Sequence, residues 1–412
     1  MKTVRRRGIA LVVLLPVLIG VGGCGAKDEP EPGKAVFGRP LAEQFQAATD
    51  STQGAGSAAF VATLTYGTED GEAVQRTQGV LDYAGWTARA TLRFDAPGTF
   101  PEETLDYLRG GADEKQELAT ADEDVYVRGS GSTWLRYTPE AVNRFGEDAG
   151  DVAWHAAGDA APYSGTLADF VPRATPGEAP ERRADGSRVY RASLLPEVAQ
   201  EVLPAHLRAV GSEWGTGSVG MTVKLNADGR VSSATADLTP VLTKLHEQGV
   251  LSDVKRLSAT YGLRAFGKPV KAKAPSAGDG KVEDAAKALS VLGSLEAGRC
   301  ANTDGTGLGS RRIVRPVDCS GRHEFRVVDQ VEVDRSFPGG VEVGNGDRYG
   351  TEACGRAEAH APRDWRKGGT YTGAVAAVGE SEVSVSVTMD GTGKGTTTQV
   401  KGSYTCLLTA TG

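Results

Sequence analysis

Apolar and polar residues alternate along most of this chain, and the period is two far more often than 3.6. In residues 58–66, Phe60, Ala62, Leu64 and Tyr66 share one face while Thr63 and Thr65 share the other, which predicts a half-buried strand. Residues 78–83 and 87–94 repeat the pattern. In the second of these, Ala88, Ala90, Leu92 and Phe94 oppose Thr87, Arg89, Thr91 and Arg93, and Ala84-Gly85 marks the turn between the two. Residues 124–128 and 133–137 flank Gly129-Ser130-Gly131-Ser132 and read as a hairpin. Asp185-Gly186 and Asp228-Gly229 are turn signals within two more hairpins, the second joining 218–225 to 230–238. A last strand is expected within 252–266.

Helical spacing is rarer. Leu41, Phe45 and Ala48 predict a short amphipathic helix. Further helices are expected at 139–145, 167–171 and 196–210, the last interrupted by Pro204. Val282, Ala285, Leu289, Leu292 and Leu295 also fall on one side of a helix-like stretch. Alternating strands imply one wet and one covered face, and too few helices intervene for a parallel doubly wound sheet. The expected class is therefore α+β, with a curved antiparallel sheet folded over a few helices.

The amino terminus breaks this pattern. Lys2, Arg5, Arg6 and Arg7 precede an almost unbroken apolar run from Ile9 to Val21, and the run ends in Val21-Gly22-Gly23-Cys24. A basic start, a short apolar core and small residues before a cut are the marks of a secretory signal peptide, and the run is shorter than the roughly 20 residues that span a bilayer. Residues 25–40, centred on Asp28-Glu29-Pro30-Glu31-Pro32-Gly33, have the composition of a flexible tether. Residues 271–281, with Pro275, Gly278 and Gly280, read as a linker. They divide the folded chain into 41–270 and 282–412.

Charge and cysteine content narrow the function. The net charge is −7, and losing the four cations of the signal peptide takes the mature chain to −11. Such a surface repels phosphate backbones, which argues against nucleic acid as a partner. Five cysteines are present. Cys24 belongs to the cleavage box, and Cys300, Cys319, Cys354 and Cys406 all lie in the last third. An even number in an exported chain implies two disulfides, although four cysteines allow three connectivities. No Cys-x-x-Cys or His-x-x-x-His spacing points to a metal, and nothing calls for a cofactor.

Catalytic candidates are few. His323-Glu324 has the residue types of a general acid–base pair, but no nucleophile accompanies it, and a turn histidine bonded to backbone is the better reading. Gly391–Thr396 departs from a phosphate loop because Gly395 follows Lys394 and Thr388 holds the place of the first glycine; a hairpin loop fits better. Ser252-Asp253-Val254-Lys255 matches Ser-x-x-Lys without its companion motifs. The acidic run 113–124 has Lys115 and Leu118 where a calcium loop needs an oxygen ligand and a glycine, and reads as a solvated segment. The remaining candidates are apolar: Phe60, Leu64, Tyr66, Leu92, Phe94, Val125, Val127 and Val223 either line a cavity for acyl chains or pack on the protein's own helices.

Three family resemblances add to this. Val21-Gly22-Gly23-Cys24 resembles the lipobox of bacterial prolipoproteins, with Val21 where leucine is usual. By that resemblance Cys24 becomes the mature amino terminus and carries a diacylglycerol thioether, which anchors the chain on the extracytoplasmic side of the cell membrane. The ordered set 64–66, 79–85, 124–128 with Trp134, 188–190 and 225–231 resembles the LolA/LppX-type carriers of actinobacterial lipoproteins. The resemblance implies an antiparallel half-barrel sheet wrapped around helices and a lipid or other apolar ligand; for want of a catalytic constellation no enzymatic activity is expected. Residues 282–412, with Gly298-Arg299-Cys300, Val317-Asp318-Cys319, His323, Pro338-Gly339 and a helical Cys354, resemble the septum-formation-type domain of actinobacterial exported proteins. That implies a smaller disulfide-stapled α+β domain, the pairing Cys300–Cys319 and Cys354–Cys406, and envelope or division proteins as partners.

Overall fold

The computed structural model describes residues 32–109, 115–129, 131–145, 166–208, 214–215, 217–303, 312–338, 347–366, 371–390 and 393–410. The stretch expected as a signal peptide, Cys24, Asp113, Glu114, His155 and the tip Gly391-Thr392 lie outside the described residues.

The strands are β1 (Ser57–Gly67), β2 (Glu72–Asp82), β3 (Thr87–Asp95), β4 (Lys115–Ala121), β5 (Asp124–Arg128), β6 (Thr133–Tyr137), β7 (Thr175–Pro176), β8 (Glu181–Arg182), β9 (Arg188–Leu194), β10 (Val219–Leu225), β11 (Val231–Asp237), β12 (Arg256–Arg264) and β13 (Lys281–Asp284), all in one sheet. A second sheet holds β14 (Ser290–Val291), β15 (Cys300–Asn302), β16 (Ile313–Val317), β17 (Phe325–Pro338), β18 (Tyr371–Asp390) and β19 (Gly393–Ala410). The first runs β13-β6-β5-β4-β3-β2-β1-β12-β11-β10-β9-β7, with β8 also on β9. It is an open path rather than a closed barrel. Its pairings are antiparallel except β13 on β6.

The alternation seen in the sequence sets the faces. Phe60, Leu64 and Tyr66 of β1 are buried, as are Ala88, Ala90 and Phe94 of β3, Met221 and Val223 of β10, and Leu257, Ala259 and Tyr261 of β12. These inner positions join one core, closed by helices that lie on the sheet. Helix Leu41–Gln53 contributes Phe45 and Ala48, and helix Thr239–Glu247 contributes Val241, Leu242 and Leu245. Between them lie short pieces: Leu167–Phe170, Val171–Arg173, Pro196–Ala199, Gln200–Val202 and Ala205–Arg208. The expected helix at 196–210 is thus three pieces, broken where Pro204 removes a backbone donor.

Four expectations are corrected. The acidic run is not a solvated segment over 115–121: β4 is an interior strand with Gln116, Leu118 and Thr120 buried, and the turn Asp122-Glu123 after it is exposed. The expected tether does not run to residue 40, because Lys34–Phe37 is a helical turn with Val36 buried and Phe37 beneath the Arg188 guanidinium, 3.8 Å from its ring centroid. The stretch 282–295 is not a helix but strand β13, a turn of helix Ala285–Ala288, strand β14 and a 3-10 turn. Residues 271–281 are not a free linker either. Ala274 packs on a cluster of Ala119, Ala121, Tyr126 and Trp134 on the outer face of the first sheet.

That strap is bound by specific polar contacts. Ser276 and Asp279 cap each other, the Asp279 carboxylate accepting from Ser276 N at 3.0 Å and from Arg89 Nη2 at 3.0 Å. The Asp279 carbonyl accepts from Arg128 Nη1 at 2.7 Å and from the Trp134 indole at 3.2 Å. Both guanidiniums lie over the Trp134 ring, at 5.3 and 4.7 Å from its centroid. Gly280, at φ 119°, continues into β13; a Cβ there would meet the Ser132 carbonyl oxygen at 2.4 Å, so no other residue fits unmoved.

The second sheet follows at once. Ala285, Leu289 and Ile313 belong to the core of the first sheet, and Arg315 of β16 binds Glu283 of β13 at 2.7 Å. Helix Asp347–His360 covers one face of β17–β19, fastened by Cys354–Cys406. Cys300–Cys319 ties β15 to the turn after β16.

Candidate functional site

The strongest sequence candidates lie together on the inner face of the first sheet. Phe60, Leu64, Tyr66, Phe94, Val125, Val127 and Val223 are buried members of its core, and half-buried Leu92 packs against it. Phe60 stacks on Tyr261 at 5.8 Å between centroids, and Tyr66 on Phe94 at 6.4 Å. Of the eight, Leu64 borders a cavity. It measures about 30 Å³ and lies where β1, β2 and β12 meet the cover, with Ala62, Gln75, Thr77, Leu167 and Val202 among its walls. Small-molecule pockets typically occupy ~300–1,000 Å³, so this space as it stands holds no acyl chain.

The cover beside the cavity contains one perturbed acid. Thr166 caps helix Leu167–Phe170, and Asp169 reciprocates, its carboxylate accepting from Thr166 N at 3.2 Å and Oγ1 at 2.8 Å. Burial pushes the Asp169 carboxyl up to about 6, overriding those two bonds, which pull it down. Tyr83, at the end of β2, is raised by burial first and by the Asp169 charge second. The sequence reading missed this pair. Its trace was Thr166-Leu167-Ala168-Asp169, a capping box in front of an apolar run.

In the second sheet, His323 and Glu324 do not meet as an acid–base pair. His323 Nδ1 lies 2.8 Å from the Gly321 carbonyl and therefore carries the proton; Nε2 lies 2.6 Å from the Tyr371 hydroxyl, which donates to it. Glu324 turns away and accepts from Thr303 N at 2.7 Å. Ser252 and Lys255 meet only through a backbone contact, Lys255 Nζ to Ser252 O at 3.1 Å. Among the described residues no group of three His, Cys, Asp or Glu side chains is placed to hold a metal ion, and no helix is long and apolar enough to cross a membrane.

A larger opening lies at the second sheet. An open cleft of about 890 Å³ runs between residues 291–293 with Arg312 and the polar face of β17 and β19. Cross-strand pairs line its floor: Gln330 accepts from Thr405 at 2.8 Å, Glu332 from Ser403 at 2.8 Å, and Asp334 lies 4.0 Å from Lys401. Nothing in the sequence pattern marked these residues, because a polar face of a strand reads simply as solvated.

Fold and geometry thus define a class: an α+β protein with an open, helix-covered antiparallel sheet joined to a second sheet with two disulfides. No family profile matches the chain, and no curated protein matches its sequence. Solved structures are similar in part. The Mycobacterium tuberculosis lipoprotein LppX is 10% identical with a TM-score of 0.32, over 57% of this chain and 98% of that one. The Pseudomonas aeruginosa MucA/MucB complex is 10% identical with a TM-score of 0.25, over 88% and 93%. A putative outer membrane lipoprotein-sorting protein domain from Vibrio parahaemolyticus is 11% identical with a TM-score of 0.21, over 56% and 93%. At TM-scores below 0.5, none of these likenesses bears on what this chain binds.

Proposed function

We propose that this chain is a non-enzymatic, extracytoplasmic lipoprotein, cut before Cys24 and anchored there, with its second sheet following directly on β13 of the first. Its first sheet takes a lipid or other apolar ligand between its inner face and the helical cover. One observation carries the ligand reading: a continuous apolar face is closed not by a second sheet but by separate pieces, several only three or four residues long. Each piece is short and joined to the next by irregular backbone, so one can part from the sheet without the others. Parting Leu167 and Val202 from β1 and β12 widens the cavity along Leu64, Phe60 and Tyr66. Roughly 25 cal/mol per Å² of apolar surface then drives an acyl chain in. The test is organic extraction of the purified protein followed by mass spectrometry. Acyl-chain species recovered near one per protein support carriage. Their absence, with the fold intact and no uptake of added fatty acid, overturns it.

A second reading is an envelope protein-interaction module near the septum or wall. The open polar cleft beside β17 and β19 favours it, being large enough for a peptide segment. A uniform surface distribution of the tagged protein, with normal septa in a deletion strain, removes that reading.

A further inference from the structure

The outer face of the first sheet carries an array that follows from register alone. Arg76 of β2 pairs with Arg93 of β3, and Arg93 pairs with Lys115 of β4. Cross-strand partners share a face, and neighbouring strands lie ~4.8 Å apart, so three cations gather within roughly 10 Å. All three are exposed, and among the described residues none is in an ion pair. Among the described residues two carboxylates lie nearby, and neither forms an ion pair with the three. Glu117, in the next row, is held by Arg128 at 2.6 Å, and Asp95 stands two residues along β3 from Arg93. In the other direction the row continues through Thr63, Thr260, Thr235 and Thr222 to Arg191 on β9. It crosses eight strands, or roughly 34 Å, with hydroxyls at its centre and cations at both ends.

Like charges set directly opposite one another weaken a sheet. The usual reason to tolerate lysine and arginine on a sheet is to guard an exposed edge, but β2, β3 and β4 are interior strands. In a mature chain of net charge −11, three adjacent cations that are unpaired among the described residues mark a place where anions dock. We propose that this row binds the anionic phosphate groups of the membrane surface and lays the first sheet against it. The choice of a lipid surface over a free polyanion rests on the anchoring proposed above. Eight peptide units separate Cys24 from Pro32, at most ~28 Å of extended chain, which keeps the sheet within reach of the headgroups. Between the cations the Thr63 and Thr260 hydroxyls bond each other, and the small side chains of Thr235 and Thr222 complete the row without adding bulk.

The test uses the mature polypeptide carrying Cys24→Ser, so that surface binding is measured without the anchor. Co-sedimentation with vesicles of 30% phosphatidylglycerol in phosphatidylcholine is compared with phosphatidylcholine alone, at low and high salt. Binding to the anionic vesicles only, abolished by salt and about a hundredfold weaker in Arg76→Gln/Arg93→Gln/Lys115→Gln, is expected. A control of equal charge change, Lys244→Gln/Lys255→Gln/Lys287→Gln, should weaken it far less. Equal loss in both triple variants, or no binding to anionic vesicles, overturns the proposal. So does binding to inorganic polyphosphate without binding to vesicles, which would make the ligand a free polyanion. Anchoring is judged separately, by the intact mass of the wild-type chain, so either idea can fail alone.

Discussion

The indole nitrogen of Trp134 donates to the main-chain carbonyl of Asp279, 145 residues further along the chain. Trp134 is fully buried by this strap, and the ring lies beneath Arg89 and Arg128. Strand β6 is thereby covered by residues that composition assigns to a linker and paired by β13, which runs on from them.

Trp134→Phe keeps most of the apolar contact and removes one hydrogen bond, which should lower stability by about 1 kcal/mol. Trp134→Ala also removes the packing under both guanidiniums and should cost about 3–5 kcal/mol. Amide exchange read residue by residue should show protection lost first at 281–284 in both variants. Equal loss throughout the first sheet would contradict a local strap.

The strap also has an acid limit. Its serine partner and Arg89 hold the Asp279 carboxyl down to about 2, below the ~3.9 of an unfolded aspartate. The stabilisation is present above pH 4 and disappears as pH falls through 2. Asp279→Asn should flatten the acid end of the stability curve between those values, as seen in chemical denaturation at stepped pH.

Asp169 behaves in the opposite sense. Its folded value near 6 lies above the unfolded one, so its contribution is fully present below pH 4 and is lost as pH rises through 6. Asp169→Asn keeps an acceptor for Thr166 and removes the buried charge. It should stabilise the protein at pH 7 by on the order of 1 kcal/mol and leave it little changed at pH 4. A variant less stable at pH 7 than wild type would show that the capping bonds outweigh desolvation.

The two disulfides should separate under mild reductant. Cys354 and Cys406 are fully buried, whereas Cys319 is half-exposed, so Cys300–Cys319 should be alkylated first by mass spectrometry. The bridges span 19 and 52 residues, worth about 3 and 4 kcal/mol in the chain-entropy account. Cys354→Ala/Cys406→Ala should therefore be the more damaging pair.

Phe60→Ala tests whether the candidate lining is core. Stacked on Tyr261 and nearly inaccessible, Phe60 should cost about 3–5 kcal/mol when truncated, with the thermal midpoint falling accordingly. A change in lipid recovery without loss of stability would instead mark it as a ligand contact.

What the sequence made legible was local. Alternation located β1 and β3 with their buried faces, β10 was expected as a hairpin arm within 218–225 and β12 only somewhere within 252–266, and turn residues located the hairpins at Gly186 and Gly229, both at positive φ. Strand β4 was hidden because its inner face carries Gln116 and Thr120, and because Ala119 and Ala121 are buried on the other side by the strap. Residues 282–295 misled for a related reason. Ala285 and Leu289 enter the first core, while Leu292 and Leu295 enter a cluster of the second sheet, so helical spacing arose from burial against two different partners. Register was the other gap. Arg89, Thr91 and Arg93 were legible as a polar face, but that Arg93 stands between Arg76 and Lys115 depends on how three strands align.

The parallel pairing of β13 with β6 has a consequence for biogenesis. A chain made from its amino end exposes β6 and the Trp134 indole until residue 284 is free to pair with it. During that interval the sheet has a sticky margin that invites mispairing with a neighbouring nascent chain. A fragment stopped at 270 would stay in that condition permanently and should be recovered as aggregate, whereas one extended through Leu289 should be soluble.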